Sequence, residues 1–135
     1  AAVPGEGPEL DRRASGGWSA RQVLHHLADS ETQSYLRLRR LLADAPPAAI
    51  QGYDEAAWAE SPALGYAERP VATSVAVVAA VRAASHELLA RLVDTDLARE
   101  GEHSESGRYT LDEWLTIYTV HPRVHRAQML EALGL

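Results

Sequence analysis

Two short stretches of this chain open in the same way, and together they constrain the fold more than any other feature. In WSARQ, Ser19 can accept from the backbone N–H of Gln22 while the Gln22 side chain reaches back, and Trp18 is placed to pack on Val23. In YTLDE, Thr110 and Glu113 repeat that capping box, with Tyr109 and Trp114 in the places of the hydrophobic staple. Each box marks the start of a long helix. The first is expected to run from Trp18 to Ala43, where the prolines of DAPP stop it, and the last to Leu133, with Gly134 as its C-terminal stop. Between them, Thr73 to Val93 is alanine-rich and apolar at helical spacing, which predicts another long helix, apolar on several sides and therefore well buried. YDEAAWAE reads as a short helix capped by Asp54, residues 1–17 as a mostly irregular lead with one helical turn at most, and DTDLAREGEHSESGR as a polar loop. No run alternates like a strand. The expectation is an all-α, up-and-down helical bundle of three long helices plus short ones, in one domain over residues 1–135.

Composition narrows the chemistry. The chain has no cysteine, so disulfides, thiolate metal sites and a cysteine nucleophile are excluded, and any metal must be held by histidine and carboxylate. Net charge is −6 and the thirteen arginines are scattered among acids, which leaves no basic stripe for a nucleic acid. With 46% hydrophobic and 24% charged residues the mix is that of a globular domain, and the apolar run Val75 to Val81 is too short to span a bilayer. No leader peptide is visible, which gives a cytoplasmic expectation. The sequence opens on Ala1, so its true start is not fixed.

The last helix carries the pattern that bears on function. At about 100° per residue, Leu111, Trp114, Tyr118, Met129 and Ala132 share one stripe, and His121 and His125 of HPRVH fall within it. A single histidine on an apolar face is usually a core residue. Two at a spacing of four are neighbours that repel when protonated and leave nitrogens unpaired when neutral, and a shared cation removes both difficulties. HxxxH alone is a weak pattern, and metal and core readings both stay open on it. Pro122 occupies the place of the zinc-protease general base, which excludes that mechanism. It also removes a hydrogen bond to the Tyr118 carbonyl, so a bend is expected there.

A third ligand has to come from another helix. His25 and His26 lie on opposite flanks of the first helix's apolar stripe, and periodicity favours His26. Glu31 lies near the centre of that stripe, where a carboxylate must be paired. It is a candidate acid/base group or an acceptor for a ligand's N–H, against a structural salt bridge. His86 and His103 read as surface residues. Arg37 and Arg123 are candidate anchors for an acidic substrate, against ordinary solvated arginines.

WSARQVLHHLADSE followed by YTLDEWLTIYTVHPRVHRAQM resembles the DinB-like superfamily of four-helix bundles, which includes the YfiT-like metal-dependent hydrolases and is unrelated to the polymerase of similar name. The likeness covers residues 10–133 and matches a histidine eight residues after the Trp, here His26, and a HxxxH pair followed by Ala127 and Gln128. It implies that His26, His121 and His125 bind a divalent ion, commonly Zn or Ni, with positions left for water or a small-molecule substrate. It also implies two chemistries, amide or ester hydrolysis and transfer using a low-molecular-weight thiol such as bacillithiol or mycothiol. Two departures stand out. A further helix usually precedes the Trp-Ser helix, so this bundle is shortened at its N-terminus or completed by a partner, and a homodimer is expected. Pro122 stands where a polar residue is usual. The rival reading is a non-catalytic bundle whose metal is structural, closed by Glu31 or Asp29 as fourth ligand.

Overall fold

The structure is a computed structural model and describes residues 6–13 and 17–135. The rest of the expected N-terminal lead lies outside the described residues; within it, Pro8–Asp11 form one turn of 3-10 helix that buries Leu10.

Both capping boxes form. The Ser19 hydroxyl accepts from Gln22 N–H at 3.2 Å and the Gln22 side chain accepts from Ser19 N–H at 3.0 Å, which starts α1 (Ala20–Ala43). Asp54 caps the short α2 (Glu55–Glu60) through the Ala57 N–H. Thr110 and Glu113 start α4 (Leu111–Leu133), and Gly134 ends it in the left-handed conformation at φ +75°. Each such cap stabilises its helix by about 1 kcal/mol, but the larger effect is to fix where the helical faces begin.

The remaining long helix, α3 (Ala72–Leu89), differs from expectation in two ways. It ends four residues early, and among its residues only Ser74 and Ser85 are buried. Apolar composition predicted burial on several sides, yet α3 meets α1 on one face only and its valines are left partly exposed. Its length and mean hydropathy of 1.2 would also suit a membrane-crossing helix, although it packs along α1 and carries Arg82 into an ion pair with Glu31.

A small sheet was not anticipated. Strand β1 (Ala48–Ile50) pairs in parallel with β2 (Glu100–His103), which forms an antiparallel hairpin with β3 (Gly107–Thr110); β2 and the first half of β3 lie inside the segment read as a polar loop. Strands of three and four residues are too short for alternation to register in sequence. Gly101 is required here, since a Cβ would stand 2.8 Å from the Ala48 carbonyl oxygen and 2.9 Å from the Ile50 side chain.

Helix α1 packs against both α3 and α4. It runs antiparallel to α4, with Trp114 Nε1 donating to Ser34 O at 3.1 Å near one end and His26 meeting His121 and His125 near the other. It runs in the same sense as α3, since His25 meets Ser74 and Glu31 meets Arg82. The bundle stands, but strict up-and-down alternation is modified, because the connection through β1 and α2 carries the chain back before α3 begins. Two apolar clusters hold the ends: Leu38, Leu41, Ile50, Tyr109, Leu111 and Trp114 at one, and Leu10, Ala20 and Val71 with Met129 and Leu133 at the other. The histidines of α1 and α4 lie between them along the chain.

Candidate metal centre

Helix α1 turns His26 toward α4, and α4 turns His121 and His125 toward α1. The three Nε2 atoms form a triangle with sides of 3.2, 3.1 and 3.0 Å. Four-coordinate zinc with Zn–N of about 2.0–2.1 Å places its nitrogens about 3.3 Å apart, so this donor set fits one tetrahedral ion with modest expansion. His26 is fully buried, and its ring is flanked by Trp18 at a centroid distance of 5.0 Å.

Protonation state suits the same role. Burial pushes the His26 pKa down to about 3, with the neighbouring His125 and His121 rings adding to the shift. Burial lowers His121 to about 4, with further contributions from His125 and the Arg82 charge. Both rings are therefore neutral near pH 7, as imidazole ligands must be. His125 Nδ1–H donates to Gln128 Oε1 at 2.8 Å, which leaves the Nε2 lone pair facing the triangle. Nδ1 of His26 and of His121 have no hydrogen-bond partner among the described residues. Three imidazoles pressed together, two of them neutral and each of those two with an unsatisfied nitrogen, are costly unless something is shared among them, and a divalent cation supplies that.

The adjacent His25 is different although equally buried. Its Nε2–H donates to the Arg69 carbonyl at 3.0 Å, so Nδ1 accepts from the Ser74 hydroxyl at 2.8 Å, and both nitrogens are satisfied. Asp29 accepts from the Tyr66 hydroxyl. Glu31, the acid that spacing aimed at the site, is paired with Arg82 at 2.5 Å and lines a cavity of about 230 Å³ between α3 and α4 that includes none of the three histidines. The structure does not bring Glu31 or Asp29 into the histidine triangle, and among the described residues the cluster consists of the three imidazoles alone.

The nearest carboxylate is one that sequence reasoning missed. Glu55, the first residue of α2, places Oε2 4.0 Å from His26 Nε2 with its side chain half exposed. Periodicity could not find it, because it stands on a two-turn helix in a long connection; the only signal was its position after the Asp54 cap. Glu55 borders a second cavity of about 140 Å³, open to His121 and walled by Arg37, Tyr53, Tyr118 and His103. Arg37 donates to the Tyr118 hydroxyl at 3.1 Å and to Gln51 O at 2.9 Å, which fixes that wall. Burial raises the Tyr53 and Tyr118 pKa values, so both hydroxyls stay protonated. His103 is drawn from the surface into this cleft by the hairpin, its Nδ1 accepting from the backbone of Glu105 and Ser106, whereas His86 stays exposed. Arg123 is also exposed.

Comparison with known proteins gives a consistent result. Residues 6–129 match the family model of the DinB superfamily. A protein of Oceanobacillus iheyensis named "Putative metal-dependent hydrolase" is 37% identical over 115 residues, covering 85% of this chain and 64% of the relative. One of the same name from Bacillus mycoides is 34% identical over 114 residues, covering 84% and 64%. The solved structure of YfiT from Bacillus subtilis, described as a probable metal-dependent hydrolase with an unusual four-helix bundle topology, superposes with a TM-score of 0.80 at 32% identity, over 93% of this chain and 70% of that one. The chain thus spans less than two thirds of the length of these curated relatives.

Proposed function

Since this chain belongs to the DinB superfamily, we propose that it is a metal-dependent hydrolase whose divalent ion is held by His26, His121 and His125. The observation that carries the reading is the triangle of three Nε2 atoms, 3.0 to 3.2 Å apart, beside a cleft that His121 lines. Zinc and nickel both suit imidazole donors. A bound ion of this kind polarises a substrate carbonyl and lowers the pKa of water at its open position.

The chain's own residues divide the remaining work. Gln128 fixes the tautomer of His125. Glu55, half exposed beside His26, is the group placed to take a proton from a nucleophile at the cleft and return it to a leaving group. The Arg37–Tyr118 pair orients the carbonyl side of a small ester or amide, and Trp18 closes the far side of His26 to water. No feature of the cleft singles out a thiol co-substrate, which makes hydrolysis the better supported chemistry. A second copy of the chain as partner is part of the proposal, and it is supported by the exposure of Ile117, Val120 and Val124 along α4.

Elemental analysis of protein purified without chelator tests the core of the reading, with His125→Ala alongside. About one ion per chain is expected in the wild type and none in the variant. No uptake after incubation with Zn²⁺, Ni²⁺ or Mn²⁺ would reduce the three histidines to core residues.

A further inference from the structure

Pro122 has no N–H, so the Tyr118 carbonyl loses its helical partner, yet α4 continues through it without interruption. A replacement donor comes from another helix. Nη2 of Arg82 donates to Tyr118 O at 2.8 Å and to Glu31 Oε1 at 2.5 Å, one hydrogen for each acceptor. Glu31 is 1% exposed and stands on the same helix as His26, a little over one turn further on; Tyr118 stands just before His121 on α4. We propose that the Arg82–Glu31 bridge is a positioning device that replaces the hydrogen bond removed by Pro122 and so fixes the turn that sets His121 and His125 against His26.

Two features make the bridge more than a general brace. Trp114 to Ser34 O and Arg37 to the Tyr118 hydroxyl already tie α4 to α1 on the N-terminal side of Pro122. Among the described residues, Arg82 is the one side chain of another helix that bonds a backbone atom of α4. Without it, a bare carbonyl oxygen would sit close to the buried Glu31 carboxylate with nothing between them, and their repulsion would open the turn that carries the ligands. Ligand geometry tolerates errors of only about 0.5 Å, so a modest opening is felt at the triangle.

The inference rests on the metal reading, and a cycle of variants separates the two. Co²⁺ binding and its d–d absorption are measured for the wild type, for Arg82→Met with Glu31→Gln, for Pro122→Ala, and for the three changes together; thermal melting of each metal-free form reports folding. Pairing the first two changes avoids stranding a buried charge. Pro122→Ala returns an N–H to Tyr118 O, so the bridge should then be dispensable. The expected result is a loss of Co²⁺ affinity of about tenfold or more, with an altered spectrum, when the bridge is removed beside Pro122, and of less than about threefold when it is removed in the Pro122→Ala background. Equal losses in both backgrounds, or no loss beside Pro122, would overturn the inference while leaving the metal reading intact. Folding restored by Pro122→Ala in an otherwise unfolded bridge variant supports it, and failure to fold in both backgrounds overturns it. A wild-type protein that takes up no Co²⁺ overturns the metal reading, and the inference with it.

Discussion

His25 and His26 are neighbours in sequence, are equally buried, and do opposite things. On the side of α1 that faces α3, His25 has a partner for each nitrogen, Asp29 has Tyr66, and Glu31 has Arg82. On the side that faces α4, His26 Nε2 is within hydrogen-bonding distance of other imidazoles alone, and its remaining nitrogen has no partner among the described residues. Burial is therefore not what marks the functional histidine. An unpaired imidazole nitrogen is: the ionisable groups on the α3 side are each paired, whereas His26 and His121 each keep a nitrogen without a partner among the described residues.

The most direct way to break this comparison is to mutate the two neighbours in parallel. His26→Ala should lower Zn²⁺ affinity well beyond the about 10–100-fold that follows loss of an outer partner, because it removes one of the three proposed ligands. His25→Gln should keep the metal and instead lower stability by about 1–3 kcal/mol, since it disturbs the hydrogen bonds to Ser74 and Arg69. Competition titration with a zinc chelator and thermal melting read the two effects separately. If His25→Gln abolishes uptake while His26→Ala spares it, the assignment of the two faces is reversed.

The next largest effect concerns the carboxylates on the two sides of α1. Glu55→Gln should reduce hydrolysis of a small ester by about 10²–10⁴, the usual range for a lost general base, while Zn²⁺ affinity stays within about threefold. A parallel fall in affinity would make Glu55 a ligand and favour a closed, structural site. Activity that persists unchanged would remove Glu55 from the chemistry.

How much of this was legible in the sequence follows the same division. Helix starts could be read because a capping box is local: Ser19 with Gln22 and Thr110 with Glu113 lie within one turn of each other. The inward stripe of α4 could be read because His121 and His125 share it with Trp114 and Tyr118. His26 could be favoured over His25, but not the reason, which depends on Ser74 and the Arg69 carbonyl far along the chain. Glu31 illustrates the limit most clearly. That a buried acid needs a partner follows from physics alone; that the partner is Arg82, on a helix whose exposure was itself misjudged, depends on tertiary packing. The small sheet and Glu55 were hidden for a related reason, since short elements in long connections carry no periodic signal.

A smaller effect sharpens the contrast within the triangle. Only His125 has its second nitrogen held, by Gln128. Gln128→Leu should free the ring to adopt the wrong tautomer and weaken Zn²⁺ binding by about tenfold, with little change in the stability of the metal-free protein. An unchanged dissociation constant would mean that packing alone orients His125.

The smallest effect is the dependence of the metal-free protein on pH. Burial, reinforced by neighbouring rings, depresses His26 to about 3 and His121 to about 4, below the ordinary histidine value of 6.5. Below pH 6.5 the unfolded chain thus binds protons that the native chain refuses, and stability falls as pH falls, progressively from 6.5 toward those lower values. Between about pH 7.5 and 6.0 only the unfolded state titrates appreciably, so the loss in that window is about 1 kcal/mol or less for each imidazole. His25 is lowered by burial as well and contributes with the same sign. The two faces separate once Zn²⁺ is added. With the ion held as proposed on the α4 side, saturating Zn²⁺ should raise the melting temperature most near neutral pH and lose its effect as acid competes for His26 and His121. In His26→Leu the acid sensitivity due to His25 should remain and the Zn²⁺ effect should vanish. A Zn²⁺ effect that survives in that variant would place the ion elsewhere in the protein.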